Sequence, residues 1–151
     1  MISISEGDAT DIASIMPVMD DAFDPSFGEA WTSAQCLSAL AMPDCRLLIA
    51  SVDNEVAGFA LSRWVLDTEE LLMIGVSKNW QRQKIGSMLL AEIIDLAQQD
   101  SRQKLFLEVR DGNAAHDFYH AAGFTPIGRR KQYYRGSGGI RPDAITMVMN
   151  I

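Results

Sequence analysis

The 151-residue chain has little of what marks secreted, membrane or metal-binding proteins. It holds only two cysteines, Cys36 and Cys45, with no Cys-x-x-Cys pair and no histidine at ligand spacing from them. That usage favours reduced, packed thiols over a disulfide framework or a metal site. No apolar run approaches the roughly 20 residues that a membrane helix needs. The acidic N-terminus lacks the basic segment followed by an apolar segment that marks a signal peptide. We therefore expect a cytoplasmic protein without membrane attachment.

Basic residues are nearly absent from the first half of the chain. Residues 1–72 hold 13 acidic and two basic residues, which leaves seven acidic and eleven basic residues in the remainder. An acidic half would attract a cationic substrate, and a basic half would attract a phosphorylated cofactor. The uneven distribution of charge is equally compatible with two halves whose charged side chains are simply hydrated and bind no partner. The net charge of −7 argues against direct nucleic-acid binding.

Apolar periodicity predicts one domain over residues 1–151. Hydrophobic residues make up 48% of the chain and charged residues 22%, as in ordinary globular proteins. Predicted strands cover residues 2–5, 46–52, 55–66, 70–76, 104–110, 124–134 and 144–151. Helices are predicted after Thr10, Thr32, Lys84 and Asn113. The sum is an α/β fold whose mixed, mostly antiparallel sheet has about seven strands, flanked by about four helices.

Local signals set several boundaries of these elements. Thr32 and Gln35 form a capping box, and Asp53-Asn54 is typical of a hairpin turn. Pro17 is expected to interrupt or kink the first helix. Asn113 is expected to cap the last helix, which Gly123 ends. That helix is predicted to bury a face made of Ala114, Ala115, Phe118, Ala121 and Ala122.

The most informative unit is a strand at residues 71–76, a polar loop at 77–84 and the helix behind it. A loop that turns directly into a helix presents unpaired N–H groups and the positive end of the helix dipole. Such a site suits an anion, and a pyrophosphate fits well. Arg82 and Lys84 add positive charge there. The same pattern also fits a basic loop before an ordinary core helix, so the residues alone leave both interpretations open.

Gln81-Arg-Gln-Lys-Ile-Gly86, followed by a Leu-Leu helix, resembles the acetyl-CoA signature of GNAT-superfamily N-acetyltransferases. The resemblance implies acetyl-CoA as cosubstrate. We expect no metal, because no acid completes a metal-binding pattern with His116 and His120. The resemblance also implies an N–H for the thioester oxygen from a bulged strand at Ile74, Gly75 and Val76. The loop residues implied to hold CoA are Gln81, Arg82, Gln83, Lys84, Ile85, Gly86 and Ser87. Lys84 stands where the family has glycine, and either pushes the phosphate outward or binds it.

A second block, Leu105-Phe-Leu-Glu-Val-Arg110 with Asn113, Tyr119 and Gly123-Phe124, resembles RimI-type ribosomal-protein alanine N-acetyltransferases within that superfamily. The resemblance implies that Glu108 is the general base, Tyr119 the general acid and Asn113 a CoA contact. The Asn113–Tyr119 spacing is one residue shorter than the family's usual one. From the residues alone, Glu108 also fits a solvated strand residue, and Tyr119 a packing residue on its helix flank.

A third block, Gly128-Arg-Arg-Lys-Gln-Tyr-Tyr134 followed by Asp143-Ala-Ile-Thr-Met147, resembles the ending of the same group. With the segment that includes Trp31, it implies an acceptor-peptide site formed by Trp31, Tyr133 and Tyr134. The expected reaction is direct acetyl transfer, in a ternary complex, to the N-terminal alanine of a ribosomal protein. Two alternatives stay open: an acetyltransferase for a small amine or lysine side chain, and an acetyl-CoA-binding module without turnover.

Overall fold

One seven-stranded sheet and four α-helices make up the computed structural model, which describes all 151 residues. The strands are β1 (Ile2–Gly7), β2 (Cys45–Val52), β3 (Glu55–Val65), β4 (Thr68–Val76), β5 (Lys104–Arg110), β6 (Thr125–Arg130) and β7 (Ala144–Asn150). The helices are α1 (Ile12–Ala22), α2 (Ser33–Leu40), α3 (Ile85–Gln99) and α4 (Ala115–Ala122). No helix among them has the length and apolar character to cross a bilayer.

The strands lie in the order β1-β2-β3-β4-β5-β7-β6. Every neighbouring pair is antiparallel except β4 and β5, whose connection through α3 makes them parallel. The predicted fold class, a mixed and mostly antiparallel sheet flanked by four helices, is confirmed.

Local chemistry explains most element boundaries. Asp53 and Asn54 both have positive φ (50° and 69°), the conformation of the tight turn that joins twisted antiparallel strands. Thr32 accepts a hydrogen bond from the Gln35 N–H at 3.2 Å, and the Gln35 side chain accepts from the Thr32 N–H at 2.8 Å, so the predicted capping box is present. Pro17, expected to interrupt or kink α1, does not interrupt the helix, which continues from Ile12 to Ala22. One missing hydrogen bond is outweighed by the buried apolar face of this helix.

Two apolar cores lie on opposite faces of the sheet. The larger cluster packs α3 and α4 against one face, and includes Leu89, Leu105 and Phe124. The smaller cluster packs α1 and α2 against the other face, and includes Ile15 and Phe59. Burying both faces makes the middle strands apolar nearly throughout, which is why the sequence reveals them so clearly.

The sheet divides between β4 and β5. Their pairing ends at Leu71 and Leu107. Beyond that point β4 pairs only with β3 and β5 only with β7. The register between β3 and β4 shifts at Leu72, which marks a bulge. The bulge therefore lies before Ile74, and the expectation of a bulge within residues 74–76 is wrong.

The structure also corrects the last third of the chain. β6 ends at Arg130, so Tyr133 and Tyr134 lie in a loop and not in the predicted strand 124–134. The predicted core face of α4 is wrong for Ala114, Ala121 and Ala122, which are exposed, whereas Ala115 and Phe118 do pack against the larger core. Tyr119 is the buried residue of the helix. A short helix buries more apolar area by turning an aromatic ring inward than by turning alanines inward.

Candidate active site

A groove passes through the gap between β4 and β5. Its first part, the loop cavity of about 320 Å³, is lined by Val76, Trp80, Gln81, Arg82, Lys84, Ile85, Gly86, Ser87 and Phe118. The second part, the gap cavity of about 290 Å³, shares Val76 and Gln81 with the first. The third part, the far cavity of about 140 Å³, shares Ile74 and Asn113 with the second. The groove thus leads from the α3 side of the sheet to the α1 side.

At the loop cavity, α3 begins without a side-chain cap. Its first N–H groups have no partner within the helix, and they carry the positive end of the helix dipole. Lys84, just before the helix, has a left-handed φ of 64°, and Arg82 has a φ of 67°. All the predicted cofactor-loop residues line this cavity except Gln83. The arrangement is an anion site with two cations at its rim.

The end of β4 offers free hydrogen-bonding groups to the gap. The Ser77 N–H donates to Ala57 of β3 at 2.9 Å, and antiparallel pairing alternates direction, so Ile74 and Val76 point their N–H groups into the gap. Gly75 does not, because its N–H turns towards β3. A Cβ at Gly75 would lie 2.8 Å from the Phe59 ring, so this glycine serves packing. Gln81 donates to the Val76 carbonyl at 3.4 Å and fixes the loop against the strand.

Glu108 lies in the far cavity and is not the solvated strand residue that the sequence allowed. Its neighbours Leu107 and Val109 enter the larger core, so Glu108 faces the opposite side of the sheet. Its side chain is only 9% exposed, and Oε1 lies 3.0 Å from Nε of Arg130. Oε2 is buried without a hydrogen-bond partner. Burial raises the pKa of Glu108; the charge of Arg130 opposes that rise and the charge of Glu70 adds to it.

Tyr119 reaches the same cavity from α4. Its ring packs edge-to-face against Phe118 and Phe124, with centroids 5.1 and 5.8 Å away. Its hydroxyl makes no hydrogen bond to the rest of the chain. Burial, with a smaller contribution from the charge of Glu29, raises the pKa of Tyr119, so the phenol stays protonated at neutral pH. A buried phenol that lines a cavity without a partner is available to a bound substrate.

The predicted acceptor residues Trp31, Tyr133 and Tyr134 also line the far cavity. The Tyr134 hydroxyl donates to the Glu108 carbonyl at 3.4 Å, and burial raises its pKa. The two loops that carry these residues touch each other, because the Ser137 N–H donates to the Ser26 carbonyl at 3.0 Å. They form the outer wall of the cavity.

Sequence reasoning missed the polar network that holds this wall. Glu29, 10% exposed, accepts from Nε of Arg110 at 3.0 Å and from Nδ2 of Asn113 at 2.9 Å. Asn113 Oδ1 accepts from the N–H of Ala115, the first residue of α4, at 2.9 Å, although the N-cap position of the helix is Ala114 and not the predicted Asn113. Arg110 also stacks over the Phe27 ring at 3.7 Å. These partners lie more than 80 residues apart in the chain, which leaves no local pattern to find them by.

Residues 13–124 match the model of the acetyltransferase (GNAT) family. The chain belongs to the GNAT acetyltransferase family. Ribosomal protein bS18-alanine N-acetyltransferase of Escherichia coli strain K12 is 38% identical over 66% of this chain and 67% of its own length. The Haemophilus influenzae enzyme of the same name is 35% identical over 64% of this chain and 66% of its own length. The sequence resemblance is thereby confirmed.

Solved structures agree with this membership. The crystal structure of the ribosomal-protein-S18-alanine N-acetyltransferase from E. coli matches with a TM-score of 0.90 at 31% identity, over all of this chain and 94% of that one. PaiA N-acetyltransferase from Thermoplasma acidophilum, in complex with coenzyme A, shares the fold at a TM-score of 0.80 and 17% identity. Membership of the GNAT family confirms the predicted enzyme class, an acetyl-CoA-dependent N-acyltransferase.

Proposed function

We propose that this GNAT protein transfers the acetyl group of acetyl-CoA to the N-terminal α-amine of a ribosomal protein that begins with alanine. The observation that carries the proposal is the groove through the sheet, with an unpartnered Glu108 oxygen in the cavity at its far end. Two substrates entering from opposite sides would meet in the gap. The names of the GNAT relatives support the choice of acceptor.

The loop side of the groove fits acetyl-CoA, which supplies an activated thioester acyl group when bound. The uncapped start of α3, with Arg82 and Lys84 beside it, binds the pyrophosphate. Ile74 and Val76 offer N–H groups to the amide arm and to the thioester oxygen. The three cavities have no cysteine among their lining residues, so the chain offers no thiol for an acyl-enzyme there. The proposed reaction is therefore direct transfer within a ternary complex, with no cysteine intermediate.

The far cavity fits a small N-terminal residue. Its volume of about 140 Å³ leaves little room beyond an alanine and its amine. The Oε2 atom of Glu108 has no partner in the chain and offers an acceptor to a cationic amine, while Trp31, Tyr133 and Tyr134 supply flat apolar walls. A peptide N-terminus combines the positive charge and the slender backbone that this lining suits.

Glu108 and Tyr119 divide the proton handling. An α-ammonium has a pKa near 8, so most of it must lose a proton at neutral pH before it can attack. Glu108 Oε2 accepts that proton, directly or through a water, and its raised pKa makes it a stronger base than an exposed glutamate. Tyr119 keeps its own proton until it delivers it to the departing sulfur.

Lys84→Gly is expected to weaken coenzyme A binding about two- to fivefold, as for loss of one exposed charge contact. Lys84 already has the left-handed φ that a glycine would adopt there, so its backbone does not obstruct the phosphate. What the variant loses is the ammonium. Titration calorimetry with CoA checks this, and Lys84→Arg is expected to stay near wild type. Tighter binding by Lys84→Gly would show instead that the lysine side chain pushes the phosphate away.

Arg130→Gln is expected to move the acidic limb of the kcat/KM profile to higher pH. Arg130 stabilises the Glu108 carboxylate, so its loss raises the pKa of Glu108 further, and the basic form appears only at higher pH. Because Arg130 is 60% exposed, the loss of rate on that limb is about two- to fivefold. The matched control is Arg135→Gln, an exposed arginine in the loop that follows β6. A profile unchanged in Arg130→Gln would mean that Glu108 does not set this limb.

Initial rates on a basic peptide that begins with alanine are expected to fall as salt rises. The acidic first half attracts the peptide at long range, and salt screens charges beyond about 8 Å at physiological ionic strength. An N-acetylated copy of the peptide is the control and should not react. Faster turnover of spermidine than of any alanine peptide would assign this GNAT enzyme to small amines.

A further inference from the structure

A fourth cavity adjoins the far cavity on the same face of the sheet. This outer pocket, of about 400 Å³, is nearly three times as large as the far cavity and is not used by the chemistry described above. It is lined by Ala39, Met42, Asp44, Cys45, Arg63, Trp64, Val65, Thr68, Glu70 and Phe106. Glu70 lines both cavities, so the two spaces share a wall.

Strand register fixes the direction from one cavity to the other. Glu70 pairs with Phe106 across the parallel β4–β5 contact. Phe106 lies two residues before Glu108 on β5, so both side chains face the same side, about 7 Å apart along the strand. A peptide whose amine lies at Glu108 reaches Phe106 after about two residues of extended chain. The outer pocket therefore lies where the third or fourth residue of such an acceptor would be.

Most of the side chains that line the outer pocket are apolar. Met42 and Val65 line it and are 65% and 70% exposed, which leaves apolar surface open to solvent. An apolar cavity of about 150 Å³ is enough for a benzene ring. The outer pocket has room for one bulky apolar side chain with its flanking backbone.

Charge at the pocket agrees with a polypeptide that carries basic residues. Arg63 is already paired with Glu70, at 3.0 Å between Nη2 and Oε1. Asp44 has no ion pair, so it is left to attract a cation beside the apolar side chain. The surrounding first half of the chain, with its excess of acidic residues, adds to that attraction.

We propose that the outer pocket binds a bulky apolar side chain at the third or fourth residue of the acceptor polypeptide, and so sets specificity beyond the N-terminal residue. This inference rests on the proposed function, since it extends the same acceptor site. Binding there anchors the peptide and holds its amine at Glu108, so it lowers KM for long acceptors while short ones gain nothing.

The test compares two acceptors in each protein: an alanyl-glycine amide, which ends before the outer pocket, and an alanine-starting hexapeptide with phenylalanine at its third and fourth residues. In the wild-type enzyme the ratio of kcat/KM, hexapeptide over dipeptide, is expected to be about tenfold or more, as for filling a hydrophobic pocket. In the double variant Met42→Gln, Val65→Thr that ratio should fall to about one- to threefold, mostly through KM. Ile127→Gln, a matched change at an exposed apolar residue on β6, should keep the wild-type ratio.

The dipeptide separates the two hypotheses. If it is acetylated but the ratio is the same in the wild type and the double variant, the outer pocket is not an acceptor site and the proposed function stands. If neither acceptor is acetylated at its α-amine by any variant, the proposed function itself fails. Analytical ultracentrifugation gives a further check. A double variant that sediments as a smaller species than the wild type would also overturn the inference, because the outer pocket would then belong to an interface between two copies of the chain.

Discussion

Glu108→Gln is expected to lower kcat/KM for an alanine peptide about a hundredfold near pH 6.5, and far less near pH 9. Glutamine keeps the shape of the side chain but cannot accept a proton. At low pH the amine is mostly protonated and needs the base, whereas above its pKa of about 8 solvent supplies the neutral form. The wild-type rate should itself fall as the pH drops through the raised pKa of Glu108, because the carboxylate is then protonated.

The control for this prediction is Glu55→Gln, an exposed residue at the start of β3 that lines none of the described cavities. It should leave the whole pH profile as in the wild type. Acetyl-CoA affinity should change less than a few-fold in Glu108→Gln, because Glu108 lies in the far cavity and not in the loop cavity. Wild-type rates in Glu108→Gln from pH 6 to 9 would show that Glu108 only packs, and that the base lies elsewhere.

Tyr119→Phe is expected to lower kcat about a hundredfold with little change in KM, because it removes a proton donor used only as the sulfur departs. The ring contacts with Phe118 and Phe124 are kept. The lost hydroxyl makes no hydrogen bond within the chain, so the melting temperature should stay within about 2 °C of the wild type. Steady-state kinetics and a thermal melt on the same preparation give both numbers.

Asp117→Asn is the matched control, since it changes a fully exposed side chain of α4 and leaves the phenol and its ring contacts in place. It should leave both kcat and the melting temperature near the wild-type values. The contradicting outcome is a Tyr119→Phe protein that binds coenzyme A more weakly but keeps the wild-type kcat. Tyr119 would then be a contact of the cosubstrate and not a general acid. The raised pKa of Tyr119 also predicts that the wild-type rate shows no loss from phenol ionisation up to about pH 9.

The sequence predicted the fold well because its signals are local. The Asp53-Asn54 turn, the Thr32–Gln35 capping box and the apolar periodicity of α3 can each be recognised from a few neighbouring residues. Errors arose where tertiary packing decides. Pro17 remains within α1 because the buried face of that helix holds it, and α4 turns Tyr119 inward although its alanines suggested another face.

The predicted site residues fall along one groove, apart from Gln83, yet the sequence could not show how they are held. The Glu108–Arg130 pair joins β5 to the end of β6, and Glu29 ties a loop before α2 to Arg110 and Asn113. Such contacts depend on chain segments that only the folded sheet brings together. The bulge at Leu72 was equally hidden, because it is set by the register of β4 against β3.

Incubating the purified protein with acetyl-CoA and a hexapeptide that begins with alanine and contains one lysine shows which amine this GNAT protein acetylates. Tandem mass spectrometry then locates the added acetyl group. Acetyl is expected on the α-amine of the alanine, at a rate that Glu108→Gln strongly reduces near pH 6.5. Acetyl found only on the lysine side chain, or no transfer while acetyl-CoA binds, would contradict the proposed function.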